Sequence, residues 1–470
     1  MQNKKQIILS IIAIVTLAIL VIGASFAYFA AQGNTSAQTS ATVKTYTVDV
    51  FSFETGDPIS FSLNQENFAS GKGNQTGSTF AKAILTANNK TNTATEHYNM
   101  YLNISENTFD YSIDENTPEI LLTITDGTNP VTNITSLTYK TVTDGKGNSI
   151  SGYDITNKTG LIELFSNREI TTTSTKTENW NISVTFINYN ADQSKNAGNT
   201  FSGKVLIQKE KITLLADYVI SQYTGTQGDN GIYYHESSLA NGAGDNSYRY
   251  AGASDSVNNY ICLGSDVATC PDANLFRIIG VFGDKTKVIR AKSVGEQRWQ
   301  ISKDNTWSSS SLNTYLNGTY LTSLGTLADK IATTTWKVGG GKTANINGVV
   351  PKTAYQYEVG SSASTTTYDA KIGLMYVSDY GFAADQSGWT TKLSSYNSNT
   401  SKNWLYLGHD EYTISRDSNT TGSAFIVYSG YVLSYLVNNA TNGVRPTFNL
   451  NSSVTYVSGD GTQSNPIRIN

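Results

Sequence analysis

The chain has 470 residues, of which 38% are hydrophobic and only 15% charged, with a formal net charge of −4. A chain of this sign with no basic run has nothing to neutralise phosphates, which excludes nucleic acid as the partner. Its 29 Tyr, 16 Phe and 6 Trp exclude a solvating polar coil; Thr and Tyr favour strands, while Asn, Gly and Asp favour the turns between them.

The N-terminus carries Lys4 and Lys5, an uncharged apolar run over 7–22 and the small-x-small triplet Ser25-Phe26-Ala27. These are the parts of a secretory signal peptide (1–27), with the cut expected between Ala27 and Tyr28. The alternative is an uncleaved anchor, because no charge lies between Lys5 and Lys44 and about 20 apolar residues cross a bilayer. Either way the protein is expected to be secreted or at the cell surface, touching membrane only through this segment. Residues 28–42 form a Ser/Thr/Gln/Ala linker or a donor strand.

From residue 43 the pattern turns to period-two alternation, with strand-length runs at 46–51, 59–63, 98–104, 120–124, 180–186 and 201–207. Asp126-Gly127, Asp144-Gly145 and Gly147-Asn148 mark turns, so 43–210 is expected to be a β-sandwich. Gly23-Ala24-Ser25-Phe26-Ala27-Tyr28-Phe29, together with Ile84-Leu85-Thr86-Ala87-Asn88-Asn89 and the 98–104 strand, resembles the camelysin and TasA-type secreted proteins of Gram-positive bacteria. That resemblance implies a jelly-roll-like sandwich. It also implies self-assembly into biofilm-type fibres, with an N-terminal strand donated to the next subunit. Camelysins have been described as metalloproteases, but HExxH is missing here and that activity is not carried over.

Ile212, Leu215 and Val219, flanked by Leu214 and Tyr218, give a short amphipathic helix, placing a helical junction at 211–224. Beyond it, 225–470 reads as an α+β binding domain. A meander is expected through 232–235, 260–263, 275–282 and 287–291, then helices over 310–316 and 320–331. Strands follow at 372–377, 404–407, 412–416, 424–427, 443–450, 454–457 and 466–469. The ordered set Phe-Arg-Ile-Ile-Gly-Val, Trp-Leu, Ser-Arg and Gly443-Val444-Arg445-Pro446 resembles an uncharacterised domain family in surface proteins of gut-associated Firmicutes. The closing motif is similar to C-type-lectin-like and formylglycine-generating-enzyme folds. The expected class is therefore mainly β with α+β: a jelly-roll-like sandwich followed by a mixed, C-type-lectin-like domain.

Cys262 and Cys270 are the two cysteines; in an exported chain they are expected to form a local disulfide. Familiar catalytic patterns fail. Gly339-Gly340-Gly341-Lys342-Thr343 lacks the earlier glycine of a phosphate loop, because position 336 is Trp336. His235-Glu236 lacks the second histidine of a zincin at Leu239. His409, Asp410 and Glu411, near Trp404 and Arg416, are the candidate ligand-binding residues, since imidazole, carboxylates and guanidinium crowd one loop. Arg445, set in an apolar run, is expected in a structural ion pair. No cofactor is expected, although turns such as Asp229-Asn230-Gly231 offer oxygens to Ca²⁺. The function these features imply is non-enzymatic adhesion or binding to a glycan or surface protein. The alternatives are a fibre subunit and a secreted hydrolase centred on His409, Asp410 and Glu411.

Overall fold

Alternating sequence becomes strand over most of the chain, and the protein is mainly β, with 39% of residues in strands and 18% in helices. The computed structural model describes residues 49–68, 72–88, 92–340, 346–440 and 442–470. The 1–27 export segment with its cut at Ala27 and Tyr28, the 28–42 linker, most of the 46–51 run, Asn89 and residues 341–343 of the glycine run lie outside them.

Ten strands form two antiparallel sheets: β1 (Val50–Thr55), β2 (Ile59–Ser62), β3 (Gln75–Thr86), β4 (Ala94–Asn107), β5 (Ile120–Thr125), β6 (Tyr139–Thr143), β7 (Ser149–Asp154), β8 (Gly160–Thr172), β9 (Thr175–Phe186) and β10 (Thr200–Gln208). One sheet runs β1-β3-β9-β5-β7-β6 and the other β2-β10-β4-β8. Alternate side chains from both fill one core, in which Met100, Leu102 and Ile104 of β4 meet Ile182, Val184 and Phe186 of β9. The Asp144 turn closes the β6–β7 hairpin: its carboxylate accepts from the N–H groups of Lys146 and Asn148.

Four of these strands, β3, β6, β7 and β8, carry no run in the sequence expectation. For β3 the cause is packing. Of its buried positions Ala81 and Ala83 are small and only Leu85 is large, and a Cβ on Gly77 would stand 2.6 Å from Ile59 Cγ2 where β2 crosses it. The ladder from Gln75↔Phe186 to Thr86↔Thr175 holds β3 with little help from large side chains.

Residues after 210 build a second, larger hydrophobic cluster, from Leu215 to Ile467. Its main sheet has ten strands. At the centre, Leu275–Phe282 pairs with Lys285–Arg290, Tyr260–Cys262 and Tyr248–Tyr250. Leu275–Phe282 is buried on both faces, which is why it reads as a continuous apolar run. A Cβ at Gly280 would fall 2.1 Å from the Tyr248 carbonyl oxygen, so only glycine allows that neighbour to approach. A second sheet of five strands includes Glu411–Arg416, Ser423–Tyr428 and Tyr431–Leu436.

Helical segments differ from expectation at their edges. The junction helix is Leu215–Ser221, entered by the two-residue strand Thr213–Leu214. Of the 372–377 run only Ile372–Gly373 is strand, because helix Val377–Phe382 begins there. Residues 404–407 make turns instead of a strand. Among the described residues no helix is long and apolar enough to cross a membrane.

Candidate functional site

Strand and helix ends bring a set of buried charges to one cleft of 230 Å³, lined by Arg249, Phe282, Lys287, Trp336, Tyr355 and Asp379 among others. Lys287 sits inside its strand with the side chain in an aromatic box. Its Nζ lies 4.8 Å from the Tyr376 ring centre and 5.7 Å from that of Trp336 and donates to Asp379 Oδ2 at 2.5 Å. Asp379 belongs to the first turn of helix Val377–Phe382, where the same oxygen accepts from the Tyr376 N–H at 2.8 Å. Burial lowers the Lys287 pKa, with Asp379 opposing the shift.

Arg249 closes the other side. Its Nη2 donates to Asp245 Oδ2 at 2.6 Å and its Nε to Ser247 Oγ at 2.7 Å, while the guanidinium lies over Phe282, Tyr355 and Phe382. Burial alone would raise Asp245, but Arg249 and Ser247 bring it down to about 2. Below the cleft, Glu358 ends helix Pro351–Glu358 and accepts from the N–H groups of Val377 and Ser378 and from the Ser415 hydroxyl. Burial pushes it up to about 7 against those hydrogen bonds. His235 packs against Phe382 and Trp389 with Nδ1 accepting from Ala243 N–H, and burial followed by Arg249 pushes its pKa well down.

Three cations, Arg249, Lys287 and Lys337, and two carboxylates, Asp245 and Asp379, line the cleft; Lys287 is paired with Asp379 and Arg249 with Asp245, so the buried charges are matched and Lys337 adds one positive charge at the edge. Lys287 and Asp379 are largely satisfied by one another, and among the other described lining residues no nucleophile is paired with a base. The cleft's volume is below the roughly 300–1,000 Å³ of drug-sized pockets and admits a group about one ring wide. Among the described residues no cluster of three or more His, Cys, Asp or Glu side chains is placed to hold a metal ion.

The residues singled out in the sequence separate. Trp404 is fully buried and cannot stack on a ligand; its Nε1 donates to the Tyr250 carbonyl, and Arg277 lies over its ring at 4.7 Å. Glu411 is also buried, and Arg445 holds it with two bonds, Nε to Oε1 at 2.8 Å and Nη2 to Oε2 at 2.6 Å. Despite burial, Arg445 and His409 keep the Glu411 pKa low, so it stays ionised and is no proton donor. His409 Nε2 stands 3.4 Å from Glu411 Oε1, and that carboxylate raises the histidine pKa.

His409 and Asp410 line an open cleft of 480 Å³ with Ser293 and Gly443, but Asp410 is held by the Ser429 N–H. The Ser293 hydroxyl is taken up by backbone, accepting from Val444 N–H and donating to carbonyls. Arg416 points elsewhere, its Nε donating to the Gly339 carbonyl. Cys262 and Cys270 are bonded as a disulfide, with Cα atoms 5.8 Å apart.

No family model matches the chain, and no curated protein matches its sequence at a significant level. Its chemistry is therefore read from the site itself. Arg249, Lys287, Glu358 and Asp379 were not picked out in the sequence. Arg249 between two tyrosines and Glu358 between Tyr357 and Val359 carry the signal that marks Arg445, whereas Lys287 follows Asp284-Lys285-Thr286 and Asp379 follows Ser378, which give no such sign.

Proposed function

We propose that this is an exported cell-surface or extracellular-matrix protein that binds a glycan through the Lys287–Asp379 cleft. One observation carries the reading: an aromatic-walled cleft of single-ring size whose buried charges are paired with one another, Lys287 with Asp379 and Arg249 with Asp245. Such a lining suits a neutral ring with hydroxyls, which packs on the half-buried Phe282 and Tyr355 at the cleft and accepts from its cations. The signal-like N-terminus and the resemblance to TasA-type and Firmicutes surface proteins support export, and the lectin-like closing motif supports a sugar ligand.

Thr335 is exposed and lines the cleft, so Thr335→Trp fills the mouth without touching the core. Full-chain protein is expected to retain specific glycans on an array, and Thr335→Trp to lose them with its melting temperature unchanged. Equal binding by the variant, or no bound glycan, sinks the reading. Mass spectrometry of the secreted form is expected to find Tyr28 as the first residue.

A further inference from the structure

A single wide turn in one helix sets a tyrosine beside an arginine that has no partner in the described protein. Ser310 caps the α-helix Ser311–Tyr315, accepting from the Asn313 N–H. The next five residues, Leu316–Tyr320, form a π-helical turn before Leu321–Ser323 return to α. Such turns are uncommon and concentrate at functional sites. This one places the Tyr320 ring 6.4 Å from that of Tyr315 and turns Tyr320 inward, where it is 7% exposed.

The Tyr320 hydroxyl is buried without a hydrogen-bond partner, and so is Nε of Arg290, the last residue of strand Lys285–Arg290. Both line a cleft of 430 Å³ rimmed by Asn274, Ser323 and Gly264 of the disulfide loop. Every other arginine of the described chain donates to an acceptor: Arg168 to Glu178, Arg249 to Asp245, Arg445 to Glu411, and Arg277, Arg298, Arg416 and Arg468 to neutral oxygens. Buried donors left unpaired are costly, and native proteins keep few of them. Two such donors on residues that line one cleft call for an acceptor from outside.

We propose that Arg290 and Tyr320 bind the carboxylate of an acidic sugar in this cleft. The planar guanidinium fork matches a carboxylate, and the phenol adds a further donor. Burial holds that phenol protonated, with Arg290 the opposing influence. One guanidinium beside a neutral phenol supplies one positive charge, which matches a monoanion; a phosphate dianion would bring in a charge without a counterpart. The Tyr315 ring with Asn274 and Ser323 at the rim suits a ring bearing hydroxyls better than an apolar peptide side chain. This site shares no lining residue with the Lys287 cleft and does not depend on the ligand proposed there.

Calorimetric titration of the full chain tests the assignment, with glucuronate as the probe, glucose as its neutral counterpart, inorganic phosphate as the dianion and N-acetylalanine as a peptide-type carboxylate. Glucuronate is expected to bind saturably and ahead of the other three. Arg290→Gln should abolish binding, and Tyr320→Phe should weaken it about tenfold, the loss of one hydrogen bond to a charged group. Tyr320→Phe removes an unsatisfied hydroxyl, so its melting temperature should not fall; it carries the test should Arg290→Gln fail to fold. Thr335→Trp should leave glucuronate binding intact, which separates this site from the other cleft. Absence of glucuronate binding, glucose binding equally well, tighter binding of phosphate or N-acetylalanine, or glucuronate binding unmoved by Tyr320→Phe would each overturn the proposal.

Discussion

Glu358 shows how one buried carboxyl sets a pH dependence. In the unfolded chain it titrates near 4.5, and in the folded one near 7, because burial outweighs the hydrogen bonds from Ser415 and Ser378. Between those values the native state holds a proton that the unfolded state has lost. Stability therefore falls as pH rises through that window, by at most about 1.4 kcal/mol per pH unit and roughly 3 kcal/mol in all. Asp245 acts in the opposite sense. Its folded pKa of about 2 lies below the unfolded 3.8, so its contribution is complete above 3.8 and is lost as pH falls toward 2. His235, which burial pushes well below its ordinary 6.5, works against the Glu358 decline up to that pH, because there the unfolded state holds a proton that the native state lacks. Glu358→Gln is expected to flatten the decline between pH 5 and 7, read as the slope of urea-unfolding free energy against pH. A slope equal to that of the wild type would show that Glu358 does not carry it.

The ion pair of Glu411 with Arg445 joins two elements, since Glu411 opens strand Glu411–Arg416 and Arg445 follows the short strand Asn442–Gly443. Both side chains are buried, so removing one leaves the other uncompensated. Arg445→Met is expected to cost about 3–5 kcal/mol in urea unfolding, while pairing it with Glu411→Leu should restore most of that. A double variant as unstable as the single would rule out the pair as the cause. The same residues show what was legible in the sequence. An arginine between Val444 and Pro446 in an apolar run had to be paired, which was readable; its partner, 34 positions away, was not, because no periodicity links them. Strands with large alternating side chains were legible, as in β5 and β9, whereas β3 was hidden by its inward alanines. The crowding of His409, Asp410 and Glu411 was also visible, but the backbone turns Glu411 inward and leaves His409 outside. The Lys287 cleft is lined from several elements, with four residues from strand Thr334–Lys337, and no periodicity links those elements to one another.

At the scale of the whole molecule, the cluster from Ile59 to Val205 and the cluster from Leu215 to Ile467 share no residue. The segment between them is tied to the first by the Asn99 amide to the Lys209 carbonyl, Lys209 to Glu96, Lys211 to Glu163 and the Ile212 N–H to the Tyr101 hydroxyl, and to the second by the Leu215 N–H to the Val454 carbonyl. Two cores without a shared residue are expected to unfold as separate cooperative steps. The six tryptophans are distributed so as to report this: Trp180 belongs to the first cluster, while Trp299, Trp307, Trp336 and Trp404 belong to the second and Trp389 packs close by. Tryptophan fluorescence should therefore follow mainly the second unit, and far-UV circular dichroism both. The Cys262–Cys270 loop lies wholly in the second unit, and opening so short a loop should cost it about 2–3 kcal/mol. Urea unfolding is expected to show two steps by circular dichroism, and reductant should move only the step that fluorescence also sees to lower urea. A single transition, coincident by both probes and displaced as a whole by reductant, would mean that the bonds of the 209–215 segment couple the two cores into one cooperative unit.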